Sequence, residues 1–473
     1  MPQNLAEIGI IGLGTMGSNF ARNLANKGIV TAVYNRTTEV TEEFIAKHGS
    51  KNLIGTKDLQ EFVQSIKIPR KITIIVKAGP PVDAVLESLT PLLDPNDIVL
   101  DFGNTHFNDT ERREQELKEK SIHFWGCGIS GGEKGALHGP SLMPGGPKES
   151  WPEIQPILEA AAAKDFGGSP CVTYLGPGAA GNYVKMVHNG IEYGIMQMLA
   201  EAYDMMKTLL DMPAQNISQV FRQFDRGKLN GYLLDLSSTV AAQKDDLGDG
   251  YLIDKIMDKA AQKGTGSWTS VDGLQKGIAL PTITEAVTSR IISSFKERRK
   301  DLAKGYQRQP IRDNLDTDRF VDLLDDALYV GIICTFAQGL ELIQATSDEN
   351  GWNTNLAEVT RIWQGGCIIR MILLEKIQKA YNESGQSHTH LLEMPSIIAE
   401  IKGNIASLKE VVEIAAKNEV AIPALSSALN YFYAMTQERG SANFIQALRD
   451  GFGAHTFERI DREGIFHAHW ESQ

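Results

Sequence analysis

The chain has 473 residues, 42% of them hydrophobic and 22% charged, which allows two or three domains with large cores and is ordinary for a globular protein. Its formal net charge of −12 argues against nucleic acid or an anionic membrane as the principal partner, so an anionic ligand would need a local cluster of cations. The four cysteines, Cys127, Cys171, Cys334 and Cys367, are scattered without a CxxC pair, which argues against a disulfide framework or zinc site and fits a reducing, cytoplasmic compartment.

The first predicted element is a buried strand over 6–13, running into Gly12-Leu13-Gly14-Thr15-Met16-Gly17. A helix over 16–27 and a second strand over 29–35 complete a βαβ unit. In that setting the three glycines have distinct uses. Gly12 permits a tight turn, Gly14 lets backbone approach a pyrophosphate, and Gly17 lets the helix pack on the sheet. The helix N-terminus offers free N–H groups to the phosphates. Where an NAD-binding chain usually carries an acid on the ribose, this one has Asn35-Arg36-Thr37. A guanidinium with two small polar neighbours suits a 2′-phosphate, so NADP is the expected cofactor; the alternative is a surface arginine opening the next helix.

Further strands are expected at 72–76, 98–101 and 123–125, with helices at 82–93 and 108–119. This alternation predicts a doubly wound, largely parallel sheet with its crevice at the carboxyl ends of the strands. Lys77, Phe102-Gly103-Asn104 and Ser130-Gly131-Gly132-Glu133-Lys134 follow strands and would border that crevice, unless they supply turn chemistry alone. The glycine-rich loop 175–181 marks a domain boundary. Beyond it helical patterns dominate, at 183–210, 217–224, 234–242, 283–301, 319–345, 356–380 and 399–417. The fold class is therefore α/β plus all-α: a cofactor domain over 1–178, an all-helical domain over 179–440 and an ordered tail over 441–473. A faint echo relates 193–202 to 335–344.

The first of these helices carries Lys185, His188, Asn189 and Glu192. At about 100° per residue these share one face, with the lysine and glutamate about 10 Å apart along the axis. They could converge on a small substrate, or form a solvated polar stripe. Further along, Gln262-Lys263-Gly264-Thr265-Gly266-Ser267-Trp268-Thr269 reads as a small-residue loop with one cation, and Arg290 lies in the next helix. The last stretch holds Arg449 and His455 among glycines and aromatics. His388 with His390, and His467 with His469, lack nearby carboxylate or thiol companions, so no metal is expected. There is no basic region ahead of the first apolar run to suggest a signal peptide, and no apolar stretch suits a bilayer.

Together these motifs resemble the decarboxylating 6-phosphogluconate dehydrogenases of the pentose phosphate pathway. The likeness rests on IGLGTMG at 11–17, YNRT at 34–37, VKAG at 76–79, SGGEKGA at 130–136 and PSLMPGG at 140–146, then on YVKMVHNGIEYG at 183–194, QKGTGSWT at 262–269, GGCIIR at 365–370 and FGAHT at 452–456. The family usually has Gly where this chain has Phe102, His where it has Asn182, and Tyr where it has Gly451.

The resemblance implies a homodimer that oxidises 6-phosphogluconate with NADP and without a metal. Lys185 would be the general base and acid, and Glu192 the acid that protonates C1. Gly12, Leu13, Gly14, Thr15, Met16, Gly17, Asn35, Arg36, Thr37, Val76, Lys77, Ala78 and Asn104 would meet the cofactor. Asn104, Ser130, Gly131, Gly132, His188 and Asn189 would hold the sugar acid. Tyr193, Lys263 and Arg290 would surround the phosphate, with Arg449 and His455 arriving from the partner's tail. Two other readings share parts of the pattern. A β-hydroxyacid dehydrogenase for a smaller acid would not need Lys263, Arg290, Arg449 or His455. A non-enzymatic NADP(H)-binding regulator would have no use for Lys185 and Glu192 on one face.

Overall fold

The computed structural model describes residues 5–306, 315–385 and 389–470; His388 of the first histidine pair lies outside the described residues. The chain divides into two compact units, Met1–Ala428 and Leu429–Gln473.

The first unit opens with β1 (Ile8–Ile11), α1 (Thr15–Asn26), β2 (Thr31–Tyr34), α2 (Thr38–His48), β3 (Leu53–Gly55), α3 (Leu59–Gln64), β4 (Lys71–Ile74), α4 (Pro80–Leu89), β5 (Ile98–Asp101), α5 (Phe107–Lys118), β6 (His123–Ser130), α6 (Gly132–His138), β7 (Ser141–Gly145) and α7 (Trp151–Ala161). Among the described residues these strands form one sheet in the order β3-β2-β1-β4-β5-β6-β7. All pairs are parallel except β6 with β7. Helices cover both faces, so β1 and β5 are buried at every residue; β1 reads as an apolar run, and β5 does so up to the buried Asp101. One apolar cluster gathers Phe20, Leu24, Trp125 and Leu158; the other holds Phe62, Ile72, Leu86 and Phe124. The doubly wound sheet expected from the alternation is present. β3 and β7 were not anticipated, and β6 runs five residues past the expected end at 125, to Ser130.

Helices follow: α8 (Ala180–Leu209), α9 (Ala214–Phe224), α10 (Tyr232–Ala242), α11 (Thr265–Lys276), α12 (Pro281–Ser294), α13 (Lys296–Tyr306), α14 (Thr317–Asn350), α15 (Leu356–Ile362), α16 (Leu373–Ser384), α17 (Pro395–Lys417) and α18 (Pro423–Thr436). The large helical half matches expectation. α8 and α14 cross closely and antiparallel. A methyl group at Gly194 would lie 2.7 Å from Thr335, and one at Gly339 would lie 2.6 Å from Ile191. Both echoing stretches sit at this crossing.

Three expected elements need correction. The helix over 283–301 is two helices, broken at Phe295, whose ψ of 43° leaves the helical region. The helix over 356–380 is α15 and α16, parted at Gly365-Gly366. There Gly366 takes φ +64° and a Cβ would strike the Gly139 carbonyl at 2.5 Å, so the chain turns where a helix cannot continue. The small-residue segment 262–269 is a loop only to Gly264, because Thr265 already opens α11.

The second unit contains α19 (Ala442–Gly453) and a hairpin of β8 (Phe457–Glu458) with β9 (Ile465–Phe466). Phe457 stacks on Phe466 at 6.4 Å and lies as far from Trp470, so the tail is ordered, as its composition suggested. Phe452 remains 76% exposed.

Candidate active site

The first turns of α8 lie on a floor of glycines. Gly126 and Gly128 alternate along β6 and so face the same way. A methyl group at Gly128 would come within 2.3 Å of Lys185 Cβ, and one at Gly126 within 2.0 Å of Asn182 Oδ1. From the other side, a Cβ on Gly181 would lie 2.3 Å from the carbonyl oxygens of Gly126 and Met143. Only glycine permits the helix to sit this close to the strand ends, and the contact fixes where the Lys185 stem begins.

Lys185 is buried, and its Nζ donates to Asn189 Oδ1 at 2.6 Å. His188 is fully buried; its Nδ1 lies 3.0 Å from Asn189 Oδ1, and its Nε2 3.3 Å from Ser130 Oγ. Burial, with Lys185 as the next cause, holds the imidazole well below its ordinary value, so the ring is neutral. Lys185 Nζ also lies 3.3 Å from His188 Nδ1, so the tautomer follows the lysine: a charged amine donates to Nδ1, whereas a neutral one lets Nδ1 donate to the Asn189 oxygen and Nε2 accept from Ser130. Asn189 is itself held by donation to Thr265 Oγ1 at 3.3 Å. Glu192 Oε2 lies 3.9 Å from His188 Nδ1.

Burial pushes the Lys185 amine below its ordinary value, against a smaller opposing effect of Glu192 and Cys367. Burial likewise raises the Glu192 carboxyl, against Lys185 and Arg290. Both groups are thus displaced toward their uncharged forms, the condition a base and an acid need near neutral pH.

These side chains border a cleft of about 570 Å³, which also takes in Asn104, Ser130, Gly131, Gly132, Lys263 and Arg290. The Arg290 guanidinium stacks on Tyr193, 3.4 Å from the ring centre, and Lys263 is exposed. The cleft therefore brings the cations Lys263 and Arg290 together with Lys185, Asn189 and Glu192, while the buried His188 reaches it only through Lys185 and Asn189 and does not line it. Met16 and Val76 line it as well, which joins it to the turn after β1.

That turn fits a dinucleotide. Gly12 takes φ +100°, and a Cβ on Gly17 would strike the Gly12 carbonyl at 1.9 Å, so the helix packs as the fingerprint requires. A Cβ on Gly14 would meet nothing within 4 Å, which leaves room for phosphate before the exposed Thr15. Leu13 N–H donates to Asn35 Oδ1 at 3.2 Å, tying the phosphate turn to the end of β2. Arg36 and Thr37 are exposed there, and the guanidinium has no hydrogen-bond or ion-pair partner among the described residues. Lys77 is exposed and Ala78 half-buried just past β4.

Sequence reasoning missed what holds the flanking loops. Arg113 is fully buried and donates to Asp83 at 2.8 Å, to the Gly79 carbonyl at 3.1 Å and to Asp101 at 3.4 Å. Asp101 in turn accepts from Gly103 N–H at 2.8 Å and Thr105 Oγ at 2.7 Å. One guanidinium thus braces the loops after β4 and β5. Arg113, beside Arg112 in a charged helix, gave no signal; the alternation of Gly126 and Gly128 lay beyond the strand expected at 123–125, although period two in a strand marks a face under close approach.

The family departures have local explanations. Phe102 turns into the core against Phe20 at 5.1 Å. Asn182 accepts from Thr110 Oγ1 at 2.9 Å and donates to the Gly103 carbonyl at 3.4 Å. Gly451 leaves a side on which a Cβ would sit 3.7 Å from Trp470. Arg449 and His455 belong to the second unit, and the cleft is lined by the first unit alone. Among the described residues no cluster of three or more His, Cys, Asp or Glu side chains could hold a metal ion, and no helix is long and apolar enough to cross a membrane.

Comparison with known proteins agrees with this arrangement. Residues 7–176 match the NAD binding domain of 6-phosphogluconate dehydrogenase, and residues 181–470 match its C-terminal domain. The chain is 45% identical, over 98% of its length and 99% of the relative's, to the Bacillus subtilis NADP(+)-dependent, decarboxylating 6-phosphogluconate dehydrogenase. It is equally similar, with the same coverage, to the decarboxylating enzyme of Synechococcus elongatus. A solved Plasmodium falciparum 6-phosphogluconate dehydrogenase, studied in apo form and with NADP+ or 6-phosphogluconate, superposes with a TM-score of 0.94 at 42% identity, covering 98% of this chain and all of that one. On the matched domains, the full-length identity and the shared fold, the chain belongs to the 6-phosphogluconate dehydrogenase family.

Proposed function

We propose that this protein oxidises 6-phospho-D-gluconate and decarboxylates it to D-ribulose 5-phosphate and CO2, the oxidative step of the pentose phosphate pathway, in the cytoplasm. It is an NADP-dependent oxidoreductase, and NADP when bound accepts a hydride from C3. The observation that carries the reading is the buried, amide-tethered Lys185 sharing one cleft with Glu192 and the cations Lys263 and Arg290.

In its neutral form Lys185 takes the C3 hydroxyl proton. It returns that proton to the C3 oxygen as the carboxylate leaves. Glu192 then protonates C1 of the enediol. Because Lys185 neutralises the developing enolate oxygen, the reading assigns no step to a metal ion. Asn189 and the neutral His188 orient the Lys185 amine beside the substrate. Asn104, Ser130, Gly131 and Gly132 hold the sugar acid with His188 and Asn189, while Tyr193, Lys263 and Arg290 take the phosphate. The Gly12–Gly17 turn, Asn35, Arg36 and Thr37 hold the adenosine end of NADP, and Val76, Lys77, Ala78 and Asn104 the nicotinamide end. Residues 1–178 form the cofactor domain and 179–440 the substrate and dimerisation domain. The tail over 441–473 crosses to the second subunit of a homodimer and lends it Arg449 and His455.

The direct test supplies NADP and 6-phosphogluconate and follows NADPH and CO2 together. Equal release of both is expected. A dehydrogenase for a smaller acid would leave this substrate untouched, and a regulator would bind NADP without turnover; either result overturns the proposal. Arg36→Glu should raise the KM for NADP by about 10²-fold and change that for NAD by only a few fold, since the 2′-phosphate loses a charge partner and meets a like charge. An unchanged KM for NADP would show that Asn35-Arg36-Thr37 does not read the 2′-phosphate.

A further inference from the structure

Asp450 is 1% exposed and lies between Arg449 and the turn that carries His455. Its carboxylate is saturated, two donors to each oxygen. Thr456 N–H and His467 Nδ1 approach Oδ1 at 2.8 and 2.9 Å. Ala468 N–H and Trp470 Nε1 donate to Oδ2 at 3.0 and 2.8 Å. Among the described residues of the second unit no other side chain gathers separate pieces in this way: α19, the turn after it and the stretch beyond β9 all meet at this one group.

The turn needs such a clamp. Ala454 and Thr456, the neighbours of His455, both lie in the left-handed region at φ +48° and +58°. Side-chain-bearing residues persist there only where surrounding contacts over-determine them. The Asp450–Thr456 bond is one such contact. Gln446 is another: its amide donates to the Thr456 carbonyl at 2.5 Å, while its oxygen accepts from the Arg449 guanidinium at 3.0 Å. Arg449 and His455 are thus linked through two buried or bridging side chains, neither of which any motif argument had selected.

We propose that Asp450 is a positioning residue for phosphate recognition: it fixes the end of α19 and the 454–456 turn so that Arg449 and His455 are presented together. This rests on the reading above, in which those two residues serve the phosphate of 6-phosphogluconate. An isosteric amide cannot substitute, because its NH2 would face two donors where the carboxylate has an acceptor. The consequence is specific to the phosphorylated substrate.

The full-length enzyme should be assayed as wild type, Asp450→Asn and Arg449→Ala, with 6-phosphogluconate and with gluconate, which lacks the phosphate. Asp450→Asn should raise the KM for 6-phosphogluconate roughly tenfold or more, in the same direction as Arg449→Ala. Its kcat, its KM for NADP and its kcat/KM for gluconate should stay within about twofold of wild type. Trp470→Phe, which removes one donor and keeps a ring, should give a milder form of the same split and carries the test if Asp450→Asn does not fold. Equal losses on both substrates would reduce Asp450 to general stability and overturn the proposal. So would an unchanged KM in the Asp450 and Trp470 variants while Arg449→Ala raises it. If Arg449→Ala itself leaves the KM for 6-phosphogluconate unchanged, the phosphate reading of the tail fails, and this inference with it.

Discussion

Lys185→Met is expected to lower NADP reduction and CO2 release together, by on the order of 10²–10⁴-fold, the usual span for a lost proton-transfer group. Both fall because proton removal from C3 precedes either product. Methionine keeps an unbranched stem for the glycine floor of β6, so the fold should survive. Stability gives an independent check. The native state holds the Lys185 amine below its ordinary value because of burial, so below that ordinary value the unfolded chain binds the proton more tightly. Stability contributed by this group therefore rises as pH rises through that window, and the Met variant should lose the slope in a series of Tm measurements. In the wild-type rate profile the acid limb reports Lys185 losing its proton. The alkaline limb reports Glu192, whose carboxyl burial raises and which acts while protonated. Glu192→Gln should flatten that limb and slow solvent-proton incorporation at C1. Near-normal turnover by Lys185→Met would remove the lysine from the mechanism.

The second large effect is the recovery of activity from two dead proteins. Lys185→Met and Arg449→Ala should each be inactive at ordinary substrate levels. Mixed and allowed to exchange subunits, they should regain activity, because one site of each heterodimer receives an intact lysine from one chain and an intact arginine from the other. Random exchange in a two-fold dimer gives about one quarter of wild-type activity. Verified heterodimers that stay inactive would mean that each tail serves its own chain.

Much of the fold and of the site is legible in the sequence. The turn after β1 was readable because glycines with three separate steric duties must fall at fixed spacing. Lys185, His188, Asn189 and Glu192 were readable as one face because helical periodicity is regular. What the sequence concealed was set by tertiary contact. Phe295 ends α12 with no local breaker, and at Gly365-Gly366 a local breaker set inside a helical pattern is fixed as a turn where the chain passes the Gly139 carbonyl. Thr265 looked like loop, since its helix-opening role depends on Gly264 taking a left-handed turn. Arg113 and Asp450 were hidden for a related reason. Each is a charged residue inside a helix, and only the folded chain shows which of many candidate partners it meets.

The glycine floor has a mechanical consequence. α8 has 30 residues and so extends about 45 Å, yet it is pinned to β6 and β7 within its first turns. Lys185 sits only about 6 Å along the axis from Gly181, so the contact that seats the helix also sets the register of the base against the cofactor sheet, although the same helix goes on to pack among α11, α12 and α14. A side chain added at Gly126, Gly128 or Gly181 would therefore shift the base itself and not the sheet alone.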